Sequence, residues 1–313
     1  MRNPLKSVVR SFFTLVQGHG LGRAALAAAG GAVSPAPVRK NAAVISFVIG
    51  SYNRKQILPS TIESIRRSGV ETPFEIIVID GGSSDGSVEW LIAQKDIITI
   101  VQHNRGEFRG REVERRSWGY FMNLGFKAAQ GKYILMLSDD CVLLPDAVNL
   151  GLRHVVALEA EGRRIGGGAF YFRNWPAETN YYVQKTLGGK LMVNHGLFLR
   201  SAMEQVGWVD EDRYLFYKAD SDLCLKMWQA GYEIVDCPGA YVEHYMDPEE
   251  EVRKSNEETM ARDRRAYGLR WLGTYGSDGM GPVEVAYDDP ECTAERVFSS
   301  IALARAAGGG TAN

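Results

Sequence analysis

The sequence predicts an α/β protein with a mostly parallel central sheet flanked by helices. Two observations predict this class: short runs rich in isoleucine and valine alternate with stretches of helical periodicity, and those runs are apolar almost throughout. Continuous apolar runs are typical of strands buried on both faces, as in a parallel sheet that helices cover. An alternating series of strands and helices forms a layered domain of this kind.

The predicted elements follow one another in order from residue 44. Each predicted strand is a short apolar run, and each predicted helix spaces its apolar residues three or four positions apart. Strands are predicted at residues 44–49, 74–79, 97–101 and 133–137, and helices at residues 56–67, 86–94 and 115–129. Beyond about residue 160, three consecutive glycines at residues 166–168 predict a bend, and helical periodicity returns at residues 219–230 and 249–267.

Composition and charge exclude several classes of protein. Of the 313 residues, 45% are hydrophobic, which is enough for a large core, and 36 lysines and arginines nearly balance 38 acids. A nucleic-acid-binding domain would normally be strongly basic, so we expect no nucleic-acid partner. No apolar stretch reaches the roughly 20 residues of a membrane-spanning helix. The four cysteines form no CxxC pair, which is typical of reduced thiols in a cytoplasmic protein.

Residues 4–17 predict an amphipathic helix at the start of the chain. Apolar side chains recur at helical spacing, and Lys6 and Arg10 lie on or beside the polar face. A basic helix of this kind can contact an anionic membrane surface, as a peripheral contact at the inner face of the membrane. The alternative, which we favour slightly, is packing on the main domain or on a second subunit of a homo-oligomer. A linker rich in glycine and proline follows.

Small polar and acidic residues follow three of the predicted strands. The first strand is followed by Gly50-Ser51-Tyr52-Asn53-Arg54, the second by Asp80-Gly81-Gly82-Ser83-Ser84, and the fourth by Ser138-Asp139-Asp140. Ligands of open parallel sheets bind at the carboxyl ends of the strands, so these residues are candidates for a site. The sequence has no GxGxxG turn after its first strand, no Walker A loop and no HExxH motif, which argues against a dehydrogenase, a P-loop nucleotidase and a zinc protease.

Several motifs stand along the chain in a distinctive order: SYNR, VIDGGSSDGS, LSDDCVLLPDAV, VGWVDE and ADSDLCLKMWQAGY. In this order and spacing the sequence resembles the family-2 glycosyltransferases, over roughly residues 44–245. The resemblance implies the GT-A fold and a metal-dependent, inverting transfer of a single sugar from a nucleotide-diphosphate sugar. The implied acceptor is a hydroxyl of a glycan, a lipid-linked molecule or a protein, in glycan or polysaccharide biosynthesis.

With this resemblance, we expect three parts in the chain. The amino-terminal helix and linker occupy residues 1–40, a GT-A catalytic domain occupies residues 41–247, and a helical extension with a flexible tail occupies residues 248–313. A single domain of roughly 200 residues lies within the usual size range and would hold both the donor and the acceptor subsites.

The resemblance assigns the donor nucleotide to the residues after the first two strands. Asp80 matches the family position that contacts the base or the ribose; its alternative role is to cap the turn that follows it. Ser51, Asn53 and Gly82 would line the same pocket. Arg54 would reach the diphosphate, with an ordinary surface position as the alternative.

The resemblance places a divalent cation, Mn²⁺ or Mg²⁺, after the fourth strand. Ser138-Asp139-Asp140 takes the place of the family's DxD motif, so Asp140 would be the direct ligand and Asp139 would act through water or a sugar hydroxyl. Such a cation neutralises charge on the leaving diphosphate. His244 matches a position that supplies a metal or diphosphate ligand, and a structural histidine is an equally weighted alternative.

Inverting transfer needs a base that removes the proton of the acceptor hydroxyl, and the resemblance assigns this role to Asp220. The family's motif has an acidic pair followed by x-Asp-Leu, and this chain has Ala219-Asp220-Ser221-Asp222-Leu223. The alternative role of Asp220 is an ordinary helix N-cap. Asp222 is expected to stabilise the amino terminus of the helix through the helix dipole.

Departures from the family pattern bear on the class of function. Residues 267–271 (YGLRW) lack the glutamine of the QxxRW signature of processive synthases, which favours a non-processive enzyme. Ser138 and Ala219 replace acids of the family motifs. They leave open an alternative function, that of a catalytically weak sugar-nucleotide-binding scaffold protein.

Overall fold

The computed structural model describes residues 44–246 and 256–308, and for residues 302–308 it describes the backbone only. The amphipathic helix predicted at residues 4–17 lies outside the described residues. The described chain forms one sheet of ten strands, with helices on its faces, and a separate two-stranded hairpin.

The elements have the following bounds. The strands are β1 (Ile45–Ser51), β2 (Phe74–Asp80), β3 (Ile97–Val101), β4 (Glu107–Phe108), β5 (Arg111–Glu112), β6 (Tyr133–Met136), β7 (Cys141–Leu143), β8 (Ile165–Trp175), β9 (Tyr181–Val183), β10 (Gly196–Leu199), β11 (Glu233–Tyr245) and β12 (Val283–Val285). The helices are α1 (Leu58–Arg67), α2 (Ser87–Ala93), α3 (Trp118–Ala128), α4 (Ala147–Ala160), α5 (Arg200–Gln205), α6 (Ala219–Gln229), α7 (Met260–Tyr275) and α8 (Thr293–Gly308).

The amino-terminal half of the sheet is parallel, and the strands predicted there are confirmed. β1 lies between β2 and β6 and is parallel to both, and β3 continues the parallel order at the edge. Alternate side chains of these strands enter two cores. Phe47 packs in one core with the apolar side of α1, and Val48 packs in the other with Phe121 and Phe126 of α3. Burial on both faces explains why the strands are apolar at nearly every position.

The other half of the sheet mixes strand directions. β10 is antiparallel to β6 and β8, and β11 is parallel to β8 and antiparallel to β7. This arrangement places the last residues of β8, β11 and β6 near the start of β7. The sheet thus has a parallel core and an antiparallel extension, in agreement with the GT-A fold that the sequence resemblance implies.

The bend predicted at residues 166–168 is wrong, because these glycines lie inside β8. A Cβ atom on Gly168 would lie 2.6 Å from the Cys237 Sγ and 2.7 Å from a methyl carbon of Val155. A Cβ atom on Gly167 would lie 2.9 Å from the carbonyl oxygen of Leu197. The glycines therefore permit close packing of neighbouring elements rather than a turn.

The helices predicted in the carboxyl-terminal part are present, with different bounds. α6 matches the prediction at residues 219–230. Residues 249–255 of the helix predicted at 249–267 lie outside the described residues; residues 256 and 257 are helical, and α7 continues to Tyr275, beyond the predicted end. Tyr267 and Trp271 of α7 are buried in the core that contains Leu223 of α6. In addition, β12 pairs with β9 of the main sheet. The boundary at residue 247 stays a prediction.

None of the helices in the described part of the chain has both the length and the apolarity to cross a membrane.

Candidate functional site

A cleft with a volume of 530 Å³ opens at the carboxyl ends of β1 and β6. Its volume lies within the range of about 300–1,000 Å³ that small-molecule sites have. Six of the residues predicted from the sequence line this cleft: Ser51, Arg54, Asp139, Asp140, Asp220 and His244. Residues up to 193 positions apart in the chain, Ser51 and His244, thus line one cleft, as expected for a site at strand ends.

The two aspartates after β6 lie beside a buried arginine. Arg54 Nε lies 3.5 Å from Asp139 Oδ1, and Arg54 Nη2 lies 3.6 Å from Asp140 Oδ2. All three side chains are nearly buried, so Arg54 is not the surface residue of the alternative interpretation. The guanidinium of Arg54 therefore offsets part of the charge of the two carboxylates.

The sheet register brings a histidine to the same place. In β11, His244 pairs with Cys141 of β7 on one side and with Asn174 of β8 on the other. His244 Nδ1 lies 2.6 Å from Asn174 Oδ1, and His244 Nε2 lies 3.2 Å from Asp140 Oδ1. Asn174 Nδ2 donates to Glu178, which fixes the amide so that its oxygen faces the histidine.

This arrangement fits a cation. Since Asn174 Oδ1 only accepts, His244 carries a proton on Nδ1, and Nε2 then faces a carboxylate oxygen that also only accepts. A second proton or a metal ion must lie between them to make the contact favourable. Two neighbouring ligands of one octahedral ion lie about 3 Å apart when each bond is about 2.1 Å, close to the separation of Asp140 Oδ1 and His244 Nε2.

Two further side chains, those of Cys141 and His195, lie beside Asp140 and His244. The Cys141 sulfur lies within the same cluster, and burial raises the pKa of its thiol well above the ordinary value. Burial, together with a smaller effect of the nearby His244, lowers the pKa of His195 to about 3, although Asp140 acts in the opposite direction. His195 is not part of the cluster of candidate ligand atoms, and a protonated thiol is a poor ligand for a hard cation, which leaves Asp140 and His244 as the groups suited to Mn²⁺ or Mg²⁺.

Asp220 enters the cleft from the first turn of α6. The N-cap of α6 is Lys218, which has a left-handed backbone, so Asp220 does not have the alternative role of an N-cap. Asp220 Oδ1 accepts from the backbone N–H of Ser221 at 2.6 Å, whereas among the described residues Oδ2 has a single long contact, of 3.4 Å, with Asn194 Nδ2. Burial raises the pKa of Asp220, against the opposing effects of the Ser221 N–H and of Lys218. A carboxylate with a raised pKa and a lightly engaged oxygen can accept a proton.

Asp222 does more than interact with the helix dipole. Its side chain is fully buried and accepts from Tyr214 Oη at 2.9 Å and from Trp271 Nε1 at 2.8 Å. Arg270 Nη1 lies 3.0 Å from Asp222 Oδ1. Burial raises the pKa of this carboxyl group despite these donors. Arg270 and Trp271 belong to the YGLRW segment, which thereby joins α7 to the helix of the candidate base.

Asp263 is a residue that the motif analysis missed. It lies in the first turn of α7, is fully buried, and accepts from the backbone N–H groups of Leu215, Phe216 and Tyr217 at 3.0, 2.8 and 2.9 Å. These residues form the loop that leads into α6 and lines the cleft. Only the helical periodicity of its charged segment gave any signal for this position.

Three predicted donor residues do not line the cleft. Asp80 accepts from the backbone N–H groups of Gly82 and Ser83 at 2.8 and 2.7 Å, and from Ser83 Oγ at 2.7 Å. Its oxygens are therefore used by the turn, which is the alternative role stated above. Asn53 is tied to the same turn, since its Oδ1 accepts from the backbone N–H of Ser84. Gly81, rather than Gly82, forms part of the cleft wall.

Two buried polar atoms of the cleft have no hydrogen-bond partner within the described residues. They are Ser51 Oγ, at the end of β1, and Asn194 Oδ1, beside Asp220. Buried polar atoms are nearly always hydrogen-bonded in folded proteins. Their position in the wall of the cleft suits a polar ligand that would complete their hydrogen bonding.

Comparison with known proteins gives a family and a set of relatives. The model of glycosyl transferase family 2 matches residues 46–213. An uncharacterized glycosyltransferase, YfnE of Bacillus subtilis, is 30% identical over 132 residues, which are 41% of this chain and 30% of YfnE. An undecaprenyl-phosphate 4-deoxy-4-formamido-L-arabinose transferase of Yersinia enterocolitica is 26% identical over 172 residues, which are 50% of this chain and 48% of that protein. The chain thus spans less than half of the length of these curated relatives.

A solved structure shares the fold. The mannosyltransferase PcManGT of Pyrobaculum calidifontis, in complex with GDP-Man and Mn²⁺, has a TM-score of 0.51 to this chain at 17% identity. The similarity covers 90% of this chain and 79% of PcManGT. At this level of identity the likeness concerns the fold.

Proposed function

The chain belongs to glycosyl transferase family 2, and from that premise we propose that it transfers a single sugar from a nucleotide-diphosphate sugar to an acceptor hydroxyl, with inversion at the anomeric carbon. The observation that carries the proposal is a shared position: the acidic pair after β6 and the carboxylate of Asp220 line the same cleft. The acidic pair suits a diphosphate and its cation, and Asp220 suits a proton transfer.

The chemistry follows from the positions of these groups. Asp220 removes the proton of the acceptor hydroxyl while that oxygen forms a bond to the anomeric carbon. The bond between the anomeric carbon and the diphosphate oxygen breaks, its electron pair leaves with the nucleotide diphosphate, and the proton remains on Asp220. The lightly engaged Oδ2 of Asp220 is the oxygen that suits this role.

Asp140 and His244 would hold a divalent cation, Mn²⁺ or Mg²⁺, which offsets the charge that develops on the leaving diphosphate. Arg54 lies against Asp139 and Asp140, where it holds the acidic pair in place and adds a positive charge for the same diphosphate. Ser51 Oγ and Asn194 Oδ1 would complete their hydrogen bonds with the donor and with the acceptor, respectively. Asp80, Asn53 and Gly82 shape the loop beside the nucleotide.

The acceptor in this proposal is a glycan, a lipid-linked molecule or a protein. The Yersinia relative is named for an undecaprenyl phosphate, and a chondroitin synthase of Pasteurella multocida is 29% identical over 113 residues, which are 35% of this chain and 10% of that synthase. Both names are compatible with a place in glycan or polysaccharide biosynthesis.

The proposal is tested by a donor screen followed by product analysis. Sugar nucleotides of UDP, GDP, dTDP and ADP are compared by thermal shift with and without Mn²⁺. A ligand present at about 100 times its Kd adds about 2.7 kcal/mol of stability. NMR of the product with the selected donor should show the inverted anomer. A retained anomer would contradict the mechanism, and binding with no transfer to any acceptor would favour the scaffold alternative.

A further inference from the structure

The turn that joins β8 to β9 lies beside the candidate metal ligand His244. It contains Glu178, a half-buried residue that does not line the cleft and that belongs to none of the sequence motifs. Glu178 lines another cavity, of 340 Å³, and Tyr182 of β9 lines both this cavity and the cleft. A carboxylate outside the cleft is thus connected to its wall.

Glu178 is bonded to Asn174 through the backbone and through the side chain. Glu178 Oε2 accepts from the backbone N–H of Asn174 at 2.8 Å and from Asn174 Nδ2 at 2.9 Å. The backbone N–H of Glu178 donates to the carbonyl oxygen of Asn174 at 2.9 Å. Tyr182 Oη lies 2.8 Å from the same Nδ2. A carboxylate can only accept, whereas a hydroxyl can donate or accept, so Glu178 determines which atom of the amide faces the turn.

The orientation of this amide determines which nitrogen of a neutral His244 carries the proton. In the observed orientation Asn174 Oδ1 lies 2.6 Å from His244 Nδ1, so Nδ1 carries the proton and Nε2 offers its lone pair. With the amide rotated by half a turn, Asn174 Nδ2 would donate to Nδ1, and the proton would lie on Nε2. Nε2 would then donate to Asp140 Oδ1, 3.2 Å away, and this hydrogen bond would occupy both candidate ligand atoms.

Glu178 disfavours the rotated orientation. Rotation would turn the amide oxygen of Asn174 toward Glu178 Oε2, and repulsion between two acceptor oxygens would replace a charge-assisted hydrogen bond. The carboxylate is held against such a change, because the backbone N–H of Asn174 donates to the same oxygen. Glu178 therefore keeps Asn174 Oδ1 toward His244 and leaves Nε2 of the neutral imidazole without a proton.

We propose that Glu178 is a positioning residue of the metal site: acting through Asn174, it holds His244 in the tautomer that can bind a divalent cation. This inference rests on the proposed function, because it takes Asp140 and His244 as the ligands of the cation. In metal sites generally, the partners that orient a ligating histidine change the metal affinity by about 10- to 100-fold when they are removed.

The test measures the affinity of the full chain for Mn²⁺ alone, from the EPR signal of free Mn²⁺, at about pH 8, where an imidazole is ordinarily neutral. Glu178→Ala removes the carboxylate, whereas Glu178→Gln keeps an oxygen that can accept from both N–H groups of Asn174. Glu284→Ala is the matched control, because Glu284 is exposed and lines the same cavity as Glu178. Glu178→Ala is also made in the His244→Ala chain.

Glu178→Ala should weaken Mn²⁺ binding at least about tenfold, and Glu178→Gln should restore it to within about threefold of the unmodified chain. Glu284→Ala should leave the affinity for Mn²⁺ unchanged. In the His244→Ala chain, Glu178→Ala should cause no further loss, because its effect passes through His244. A general loss of structure would instead weaken Mn²⁺ binding with or without His244, so this comparison separates the positioning role from a structural one.

Three results would overturn the inference while the proposed cation site stands. The first is an unchanged affinity for Mn²⁺ in Glu178→Ala when His244→Ala weakens it. The second is an equal loss from Glu178→Ala with and without His244, and the third is a loss in Glu178→Gln as large as that in Glu178→Ala. If His244→Ala itself left the affinity for Mn²⁺ unchanged, the proposed cation site would be wrong, and this inference with it.

Discussion

The carboxylate of Asp263 holds the loop that leads to the candidate base, and Asp263→Asn removes its charge with little change in size. Asp263 Oδ1 accepts from the N–H of Leu215, and Oδ2 accepts from those of Phe216 and Tyr217. Asparagine has one acceptor oxygen, and its NH₂ group must face at least one of these N–H donors. The substitution therefore breaks one bond or two, depending on how the amide is turned.

The size of the effect follows from these bonds. Each hydrogen bond to a charged group contributes about 1.5–3 kcal/mol, so Asp263→Asn should lower the free energy of unfolding by about 1.5–3 kcal/mol for one lost bond and about twice that for two. A domain is stable by about 5–15 kcal/mol, and most molecules should remain folded. The displaced loop carries Lys218 and leads into the helix of Asp220. A shift of about 1 Å at a reacting group can cost about 100-fold in rate, so kcat should fall by about 10- to 100-fold.

Stability is measured by denaturant unfolding, kcat in the transfer assay, and nucleotide affinity by calorimetry. Nucleotide affinity should be unchanged, because Asp263 holds the loop beside Asp220 and not the residues after β1. Asp212→Asn is the matched control, since this aspartate is exposed and lies shortly before the same loop. An unchanged kcat in a destabilised Asp263→Asn variant would refute the positioning role and leave only a structural one.

Three further predictions concern acidity, metal binding and packing. Burial raises the pKa of Asp220, so kcat/KM should fall as the pH is lowered, with an apparent pKa above the ordinary value of an aspartate. An apparent pKa at or below the ordinary aspartate value would contradict this prediction. His244→Ala should weaken Mn²⁺ binding at least about tenfold, as measured by the EPR signal of free Mn²⁺. The control His154→Ala should leave the affinity for Mn²⁺ unchanged. Equal Mn²⁺ affinities of His244→Ala and the unmodified chain would exclude His244 as a ligand. Gly168→Ala should lower the stability by about 1–3 kcal/mol, because the added methyl would lie 2.6 Å from a sulfur of the neighbouring strand. Gly273→Ala, in open space on α7, should instead raise stability by about 0.5–1 kcal/mol in the same denaturation experiment.

The parallel half of the fold could be predicted because its signal is local. The inner strands β1, β2 and β6 are apolar at most of their positions, and the helices cover the sheet with a periodic apolar face. The residues that follow the strands could then be compared with one another, and Asp140, which follows β6, lines the same cleft as Asp220 of α6. Their chemical roles stay predictions.

The parts that could not be predicted depend on contacts between distant segments. The glycines at residues 166–168 have the composition of a turn, and only the neighbouring strands show that they permit close packing. An aspartate suits either role of Asp80, nucleotide contact or capping of the turn, so the residue type does not separate them. The backbone N–H groups of Gly82 and Ser83 donate to its carboxylate, and Asp80 therefore holds the turn. Asp263 carries no motif, and its function as an anchor exists only after α7 has packed against the loop.

The most direct measurement of the central claim is single-turnover transfer by Asp220→Asn. The substitution keeps the shape of the side chain and removes its ability to take a proton. General base catalysis contributes about 100- to 10,000-fold, so the rate of transfer should fall by at least about 100-fold while the Kd for the donor nucleotide stays unchanged. A transfer rate within a few fold of the unmodified chain, at unchanged donor affinity, would show that Asp220 is not the base.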